Sequence, residues 1–208
     1  MNNEPQTPMT EETAVKEDSG ALKTAKWLYD VFEMMGIAIV AVVIIFAFCF
    51  RTCRVDGHSM NKTLSHGEIV ITSDFMYEPQ AGDIVVFHLV NDYYQEPLVK
   101  RVIATEGQEI RIDLTEKKLY IDGKQADDKH AYLENDYYNP GYFNYETEKD
   151  DNGHDIYTAT VPEGKIFVMG DNRNHSTDSR SFMVGFIDVD CVLGKAICRL
   201  SPFTSLNQ

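Results

Sequence analysis

One uninterrupted apolar run near the start divides this chain into two unlike parts. Residues 34–50 (MMGIAIVAVVIIFAFCF) hold 17 positions without a charge, and a helix of that length spans about 26 Å. The hydrocarbon core of a bilayer is about 30 Å thick, and Lys26, Trp27 and Tyr29 lie upstream, where interfacial anchors belong. A helix in a soluble core would carry polar residues at helical spacing, and this run carries none. The pattern therefore predicts a transmembrane helix over residues 25–50.

Two kinds of processed segment share this position and composition. A cleavable signal sequence ends in small residues with A-x-A spacing, whereas this run ends in bulky residues 46–50 (FAFCF). A lipoprotein signal would use Cys49, for which Phe48 is a poor neighbour. We therefore interpret the run as an uncleaved anchor. Its orientation stays open at this point, because three cationic residues lie close on each side.

The chain as a whole is strongly acidic. Asp and Glu number 33 against 19 Lys and Arg, for a formal charge of −14. Nucleic-acid binding needs clustered cations, so this charge argues against a nucleic-acid partner. Residues 1–20 are polar, with too few apolar side chains to offset the entropy of ordering. We predict a disordered tail over residues 1–24.

Beyond the apolar run, the pattern changes to short β-branched and aromatic segments separated by turn residues. This alternation is typical of an all-β domain, and no later stretch sustains a helical period. The expected fold is mainly β: an antiparallel β-sheet domain over residues 51–208, preceded by a single transmembrane helix. Strands are predicted at Ile69–Thr72, Asp83–Val90, Leu98–Thr105, Glu109–Asp113, Lys118–Ile121, Lys165–Met169 and Val192–Leu200.

Residues 123–160 have a different texture, rich in Tyr, Asp, Glu and Asn with few aliphatic residues. We predict an excursion from the main sheet. It is either a substrate-facing insertion or a loosely packed solvated loop, and the composition favours the loop.

The cysteines and histidines show no metal-ligand spacing. Cys49, Cys53, Cys191 and Cys198 include no C-x-x-C pair, and no H-x-x-x-H pair occurs on a helix. Cys191 and Cys198 could form a disulfide outside the cytosol or remain as free apolar thiols. We expect no metal site and no cofactor.

Candidate chemistry begins after the anchor, where a glycine turn presents Ser59. A serine becomes a nucleophile only when a base takes its proton and amide groups receive the oxyanion. His58 is its direct neighbour, and neighbours in an extended segment point to opposite faces. Lys62 completes an S-x-x-K motif, but this motif needs a helix and the residues that follow are poor helix formers.

Lys100 is the stronger candidate base. In the predicted strand it shares a face with Leu98 and Val102, and desolvation there would lower the pKa of the amine from about 10.4. We expect cationic Arg101 to push this pKa in the same direction. On this pattern alone, a lysine that reaches solvent from an edge strand is the better interpretation.

Four motifs together point to a known family. They are G-x-S-M at 57–60, G-D-I-V at 82–85, K-R-V-I at 100–103 and M-G-D-N-R-x-x-S-x-D-S-R at 169–180. In their order and spacing the chain resembles bacterial type I signal peptidases, and Gly57 is similar to the residue of Gram-positive members. The resemblance implies a membrane-bound endopeptidase that removes signal peptides from exported preproteins after an A-x-A site.

The resemblance also implies a role for each matching residue. Ser59 looks like the nucleophile, Lys100 like the general base, and Ser176 like the hydroxyl that orients the lysine. The oxyanion would rest on the Ser59 amide and the Gly57 region. The other matching positions shape the site. Met60 resembles an apolar neighbour of the nucleophile, Asp171 and Asn172 resemble a loop scaffold, and Asp178 and Arg180 resemble a structural ion pair.

One departure from the family stands close to the nucleophile, where Lys62 replaces the usual proline.

The resemblance places the N-terminus in the cytoplasm and the catalytic domain outside the cell membrane, with signal peptides and the lipid bilayer as partners. We expect a monomer. Two other classes compete: a catalytically silent paralogue that assembles surface proteins, and soluble self-cleaving DNA-binding repressors, which the anchor and the acidic charge disfavour.

Overall fold

The computed structural model describes residues 12–89, 91, 93, 95–132, 146–200 and 203–206. The chain divides after Phe48 into two compact units. In the first unit, helix α1 runs Glu12–Cys49. Its segment Gly20–Cys49 is long and apolar enough to cross a membrane by length and composition.

The helix begins earlier than predicted. The expected start near residue 25 and the disordered tail over residues 12–24 are wrong, since these residues continue the helix. Helix propagation costs far less than nucleation, so a helix formed by the apolar run can extend into a polar segment that contains no proline. Residues 1–11 lie outside the described part, and disorder there stays a prediction.

The second unit is built from antiparallel strands. The described strands are β1 (Arg51–Arg54), β2 (Ile69–Ser73), β3 (Ile84–Phe87), β4 (Leu98–Thr105), β5 (Glu109–Asp113), β6 (Lys118–Ile121), β7 (Lys124–Gln125), β8 (Glu148–Lys149), β9 (Asp155–Thr160), β10 (Lys165–Met169), β11 (Ile187–Asp188), β12 (Val192–Leu200) and β13 (Phe203–Ser205). A short 3-10 helix, Val189–Cys191, precedes β12. The predicted mainly antiparallel β fold is confirmed.

The strands form two sheets. The main sheet has the order β1-β2-β12-β3-β4-β10-β11, with β13 also paired to β12, and the second has the order β7-β6-β5-β9-β8. A shared core joins them, because Phe167 and Met169 of the main sheet pack with Ile110, Ile112 and Tyr157 of the second. Strand β4 lies inside the main sheet, between β3 and β10.

All seven predicted strands are present, with bounds that differ by a few residues. The loop interpretation of residues 123–160 is wrong where these residues form the short strands β7 and β8 and the longer strand β9. Residues 156–160 of β9 pair with β5, and Tyr157 is buried. This strand escaped prediction because its apolar positions are few and only the partner strand completes its burial. Residues 133–145 of the excursion lie outside the described part.

All four cysteines are free thiols. The disulfide that the sequence allowed between Cys191 and Cys198 is therefore not formed in this structure.

Candidate active site

Two residues that lie 41 positions apart in the chain meet at the end of the main sheet. Lys100 on β4 is 4% exposed, and its Nζ atom donates a hydrogen bond of 2.9 Å to Ser59 Oγ. The same Nζ donates to the Val99 carbonyl at 3.1 Å. Because β4 is an interior strand, Lys100 cannot reach solvent as an edge-strand lysine would. The sequence-predicted pair is thus in direct contact.

Burial determines the protonation of Lys100. Desolvation lowers the pKa of the amine from 10.5 to about 8, the Asp178 carboxylate raises it in part, and the Arg180 guanidinium lowers it. The expectation that Arg101 contributes is wrong, since its charge is paired with Asp171. A substantial neutral fraction of Lys100 is therefore present at mildly alkaline pH.

The turn after β1 holds the nucleophile candidate in place. Backbone hydrogen bonds close it, from Leu64 N–H to Met60 O at 2.7 Å and from Thr63 N–H to Met60 O at 3.0 Å. Lys62 has a φ of +74°, and its ammonium lies 3.8 Å from the ring centroid of Tyr132. Lys62 is thus directed to an aromatic ring, and the alternative S-x-x-K pair is not formed.

The loop after β10 supports the turn from the other side. Asn172 donates its backbone N–H to Ser59 O at 2.9 Å and its Nδ2 to His58 O at 3.1 Å. A Cβ atom on Gly170 would lie 2.5 Å from Ser59 O and 2.2 Å from Ser176 Oγ. Only glycine fits there, because no other residue allows so close an approach of two backbones.

A buried ion pair stabilises this loop from within. Arg180 donates to the Asp178 carboxylate from Nε at 2.8 Å and from Nη2 at 2.9 Å. Gly170 N–H donates to the same carboxylate at 2.9 Å. Burial raises the pKa of Asp178, but the guanidinium and these hydrogen bonds outweigh burial and hold it below its ordinary value. This geometry matches the predicted ion pair.

A second buried ion pair joins three segments of the site. Arg101, next to Lys100 on β4, donates to the Asp171 carboxylate from Nε at 2.8 Å and from Nη2 at 2.7 Å. Thr63 of the turn donates its hydroxyl to Asp171 at 2.6 Å. Sequence reasoning missed Arg101 as the partner of Asp171. The alternation of faces along β4 was the available signal, since it directs Lys100 and Arg101 to opposite sides.

The excursion, residues 123–160, also binds the loop after β10. Arg173 is fully buried and pairs with Asp128 through both of its terminal nitrogens. Tyr132 N–H donates to Asp171 O at 2.6 Å, and Arg173 N–H donates to Tyr132 O at 2.9 Å. The segment before residue 133 therefore forms part of the wall of the site.

Ser176 does not make the predicted contact with the lysine. Its Oγ atom is buried and makes no hydrogen bond to any described residue. It lies close enough to the Asp178 carboxyl to help lower the pKa of that group, but the geometry falls short of a hydrogen bond. Its role in orienting Lys100 stays a prediction.

A groove of about 160 Å³ leads to the two central residues, and we name it the first groove. One wall is the end of β1 with the turn that follows it, and the other is the start of β4 with the residues before it. The lining residues are Cys53, Arg54, Val55, Asp56, Ser59, Met60, Glu96, Pro97, Leu98, Val99 and Lys100. Met60 is 1% exposed and packs with Val55 and Leu64. Gly57, with a φ of +93°, donates its N–H to His66 Nδ1 at 3.2 Å.

One cluster of potential metal ligands occurs among the described residues, far from this groove in sequence. His154 Nδ1 lies 3.1 Å from Asp113 Oδ2, and Asp150 completes the group. Arg111 donates to Asp150 at 2.9 Å, so a protein cation already pairs with these carboxylates. The cluster is a structural ion-pair network on the second sheet.

Comparisons with known proteins agree with the predicted family. The family described as signal peptidase, peptidase S26, matches residues 28–201. Signal peptidase IB of Staphylococcus aureus is 33% identical over 183 residues, covering 84% of this chain and 90% of the relative. The probable signal peptidase I-1 of Synechocystis sp. is 29% identical over 184 residues, covering 84% and 83%.

A crystal structure of a signal peptidase I from Enterococcus faecalis V583 aligns with 30% sequence identity and a TM-score of 0.40, over 57% of this chain and 97% of that chain. The family match extends from the helix through β12 and includes all four sequence motifs. The chain therefore belongs to the signal peptidase family, peptidase S26.

Proposed function

We propose that this signal peptidase cuts its preproteins by a serine-lysine mechanism, with Ser59 as the nucleophile and Lys100 as the general base. The observation that carries the proposal is the 2.9 Å contact between Lys100 Nζ and Ser59 Oγ. It is supported by burial of the amine, which lowers its pKa to about 8. A base with a pKa close to the working pH is the most effective.

The reaction begins when neutral Lys100 accepts the Ser59 hydroxyl proton. The Oγ atom then attacks the scissile carbonyl carbon, and collapse of the tetrahedral intermediate breaks the C–N bond. The Lys100 ammonium gives its proton to the leaving amine, which departs with the mature protein. Lys100 next takes a proton from water, whose oxygen attacks the acyl carbon. Collapse of this second tetrahedral intermediate breaks the C–Oγ bond and releases the signal peptide, and Lys100 returns its proton to Ser59 Oγ.

The oxyanion of each intermediate would lie against the Ser59 backbone amide and the Gly57 region. Asn172 and Gly170 support this arrangement indirectly, because they hold the Ser59 carbonyl and its backbone in position. Preorganised donors act without reorganising during the reaction, which makes such rigidity valuable.

The first groove would bind the residues before the cut. The strand residues in its walls, 53–54 and 98–100, suit an extended peptide. Within the groove, Val55, Met60, Leu98 and Val99 supply the apolar part of the lining. We therefore expect small apolar side chains at the first and third positions before the scissile bond, which is the A-x-A preference.

Helix α1 would anchor the enzyme in the bilayer, with the N-terminus in the cytoplasm and the catalytic unit outside. Such tethering raises the effective concentration of the site toward membrane-inserted signal peptides. We expect the enzyme to act as a monomer and to need no cofactor, since every group used above belongs to the chain.

The direct test is cleavage of a preprotein with an A-x-A site in detergent by the parent and three variants. Ser59→Ala and Lys100→Ala should each abolish cleavage, because one removes the nucleophile and the other the base. Lys62→Ala should retain most activity, since the Lys62 ammonium lies on Tyr132. It serves as the matched lysine control.

Two results would contradict the proposal. An inactive Lys62→Ala with an active Lys100→Ala would show that the base is misassigned. Failure of the parent to cut any preprotein would favour the silent-paralogue alternative.

A further inference from the structure

A second groove of about 480 Å³ lies next to the nucleophile's turn. The residues that line it are His58, Asn61, Tyr132, Asn172 and His175. The second groove shares no lining residue with the first. The two grooves nevertheless adjoin the nucleophile from opposite sides along the sequence. His58, the residue before Ser59, lines the second groove, and Met60, the residue after it, lines the first.

The walls of the second groove are fixed to the catalytic turn. Asn172 binds the carbonyls of both Ser59 and His58, and Tyr132 is held by backbone hydrogen bonds on each side, to Asp171 and from Arg173. The groove is therefore a preformed surface whose position relative to Ser59 Oγ is set by hydrogen bonds.

The two grooves differ in chemistry. The first combines aliphatic side chains, which suit the small residues before the cut, with charged groups such as those of Arg54 and Glu96. The second presents imidazole, carboxamide and phenol groups, which form hydrogen bonds with polar side chains. A peptide that crosses Ser59 must continue beyond the scissile bond, and a polar lining matches the start of a soluble mature protein better than the end of a signal peptide.

We propose that the second groove binds the first residues of the mature protein after the scissile bond, and that it favours a carboxylate over an ammonium group there. The inference rests on the proposed function and deepens it. Among the described lining residues, several can donate to a carboxylate and none is acidic. A lysine at the same place would find no charged partner among them.

The test uses two substrates with the same A-x-A site, one with Glu and one with Lys at the first two positions after the cut. The quantity compared is the ratio of their kcat/KM values, which removes general effects on catalysis. We expect the parent to favour the Glu substrate by about 3- to 10-fold, the range of one or two net hydrogen bonds.

Asn61→Asp changes an amide of the groove to a carboxylate of the same shape, and it should reduce the ratio below 1. Asn152→Asp is the matched control. It makes the same change in an exposed turn between β8 and β9 and should leave the ratio as in the parent. His175→Ala is a second variant at an exposed position of the groove and should move the ratio toward 1.

Equal cleavage of the two substrates by the parent would overturn the inference and leave the peptidase function intact. A ratio that is unchanged in both Asn61→Asp and His175→Ala would also overturn it. If the parent cleaves neither substrate nor the same site followed by alanines, the proposed function fails as well. A merely structural role for Asn61 would lower both kcat/KM values together without inverting their ratio.

Discussion

At the scale of single residues, the site depends on one lysine held in an unfavourable place. Lys100 is buried on an interior strand, where desolvation destabilises the ammonium and lowers its pKa to about 8. Its neighbour Arg101 avoids the same penalty because Asp171 pairs with it through two hydrogen bonds. The sheet thus places two basic residues side by side, one paired with a carboxylate and one with its pKa lowered to about 8 by burial.

We expect kcat/KM for a soluble A-x-A peptide to rise with pH and to reach half of its maximum near pH 8. The reason is that only neutral Lys100 can accept the serine proton, and its pKa is about 8. The measurement is a pH profile from about 6 to 10. Lys62→Ala should give the same midpoint, and a flat or falling profile would exclude Lys100 as the base.

Lys100→Met should make the protein inactive but more stable at pH 7. Lowering the pKa from 10.5 to about 8 corresponds to a cost of about 3 kcal/mol in folding free energy for burying the charged amine. The gain in stability on replacing Lys100 by Met should be smaller than this cost, because the variant also loses the hydrogen bonds to Ser59 and Val99. The unfolded chain binds more protons than the folded one between these two pKa values. The stability of the parent should therefore rise with pH through that window, and its deficit against Lys100→Met should shrink.

The check is denaturant unfolding of both proteins at neutral pH and near pH 10. If Lys100→Met is less stable than the parent at pH 7, the buried amine does not destabilise the fold. If the stability difference between the two proteins does not change with pH, the pKa of Lys100 is not lowered by folding.

At the scale of elements, the catalytic turn and the loop after β10 stabilise one another. The loop holds the turn through Asn172 and approaches it closely at Gly170. The turn also binds the loop, because the Thr63 hydroxyl donates a hydrogen bond to Asp171. Lys62 belongs to the turn and has a positive φ, a conformation that proline cannot adopt because its ring fixes φ near −65°. A proline at position 62 would therefore require a differently shaped turn.

Lys62→Pro, which restores the residue usual in the family, should destabilise this protein by more than about 1 kcal/mol and lower its activity. Lys62→Gly is the matched control, since glycine adopts positive φ without strain. We expect the glycine variant to remain within about 1 kcal/mol of the parent, allowing for loss of the contact with Tyr132. Thermal unfolding and peptide cleavage measure both effects, and a proline variant as stable as the glycine variant would refute the explanation.

At the scale of the whole molecule, the chain consists of a helical unit and a β unit with separate internal contacts. The core of the β unit is formed by its own two sheets. All of the chemistry proposed here belongs to that unit, and the role proposed for the helix is tethering alone. We therefore expect cutting of the substrate and tethering to be separable.

Removal of residues 1–48 should leave kcat/KM for a short soluble peptide within about threefold of the full chain. Cleavage of a preprotein inserted in vesicles should fall by about 100-fold or more, because the effective concentration from tethering is lost. The comparison needs both substrates with both proteins. Equal losses on the two substrates would indicate that the helix contributes to the active site itself.

Local patterns were sufficient for much of this organisation. The apolar run, the seven strands and the four motifs each lie within a short stretch of sequence. The membrane-spanning helix, the strands and the family were each predicted from such a stretch. Strand β9 was not, because its polar sequence becomes a strand only when paired with β5. The helical residues 12–24 were also missed, since helix propagation from a neighbouring segment is not visible in their own composition.

The sequence by itself determined which residues could carry the chemistry, because residue type and spacing encode nucleophile, base and burial tendency. Only the tertiary structure decided which of two lysines contacts Ser59, where the buried ion pairs form and that Lys62 has a positive φ. The physical reason is distance along the chain. Contacts across 41 or 114 residues depend on strand order and on desolvation by the assembled sheet, and neither is a property of any short segment.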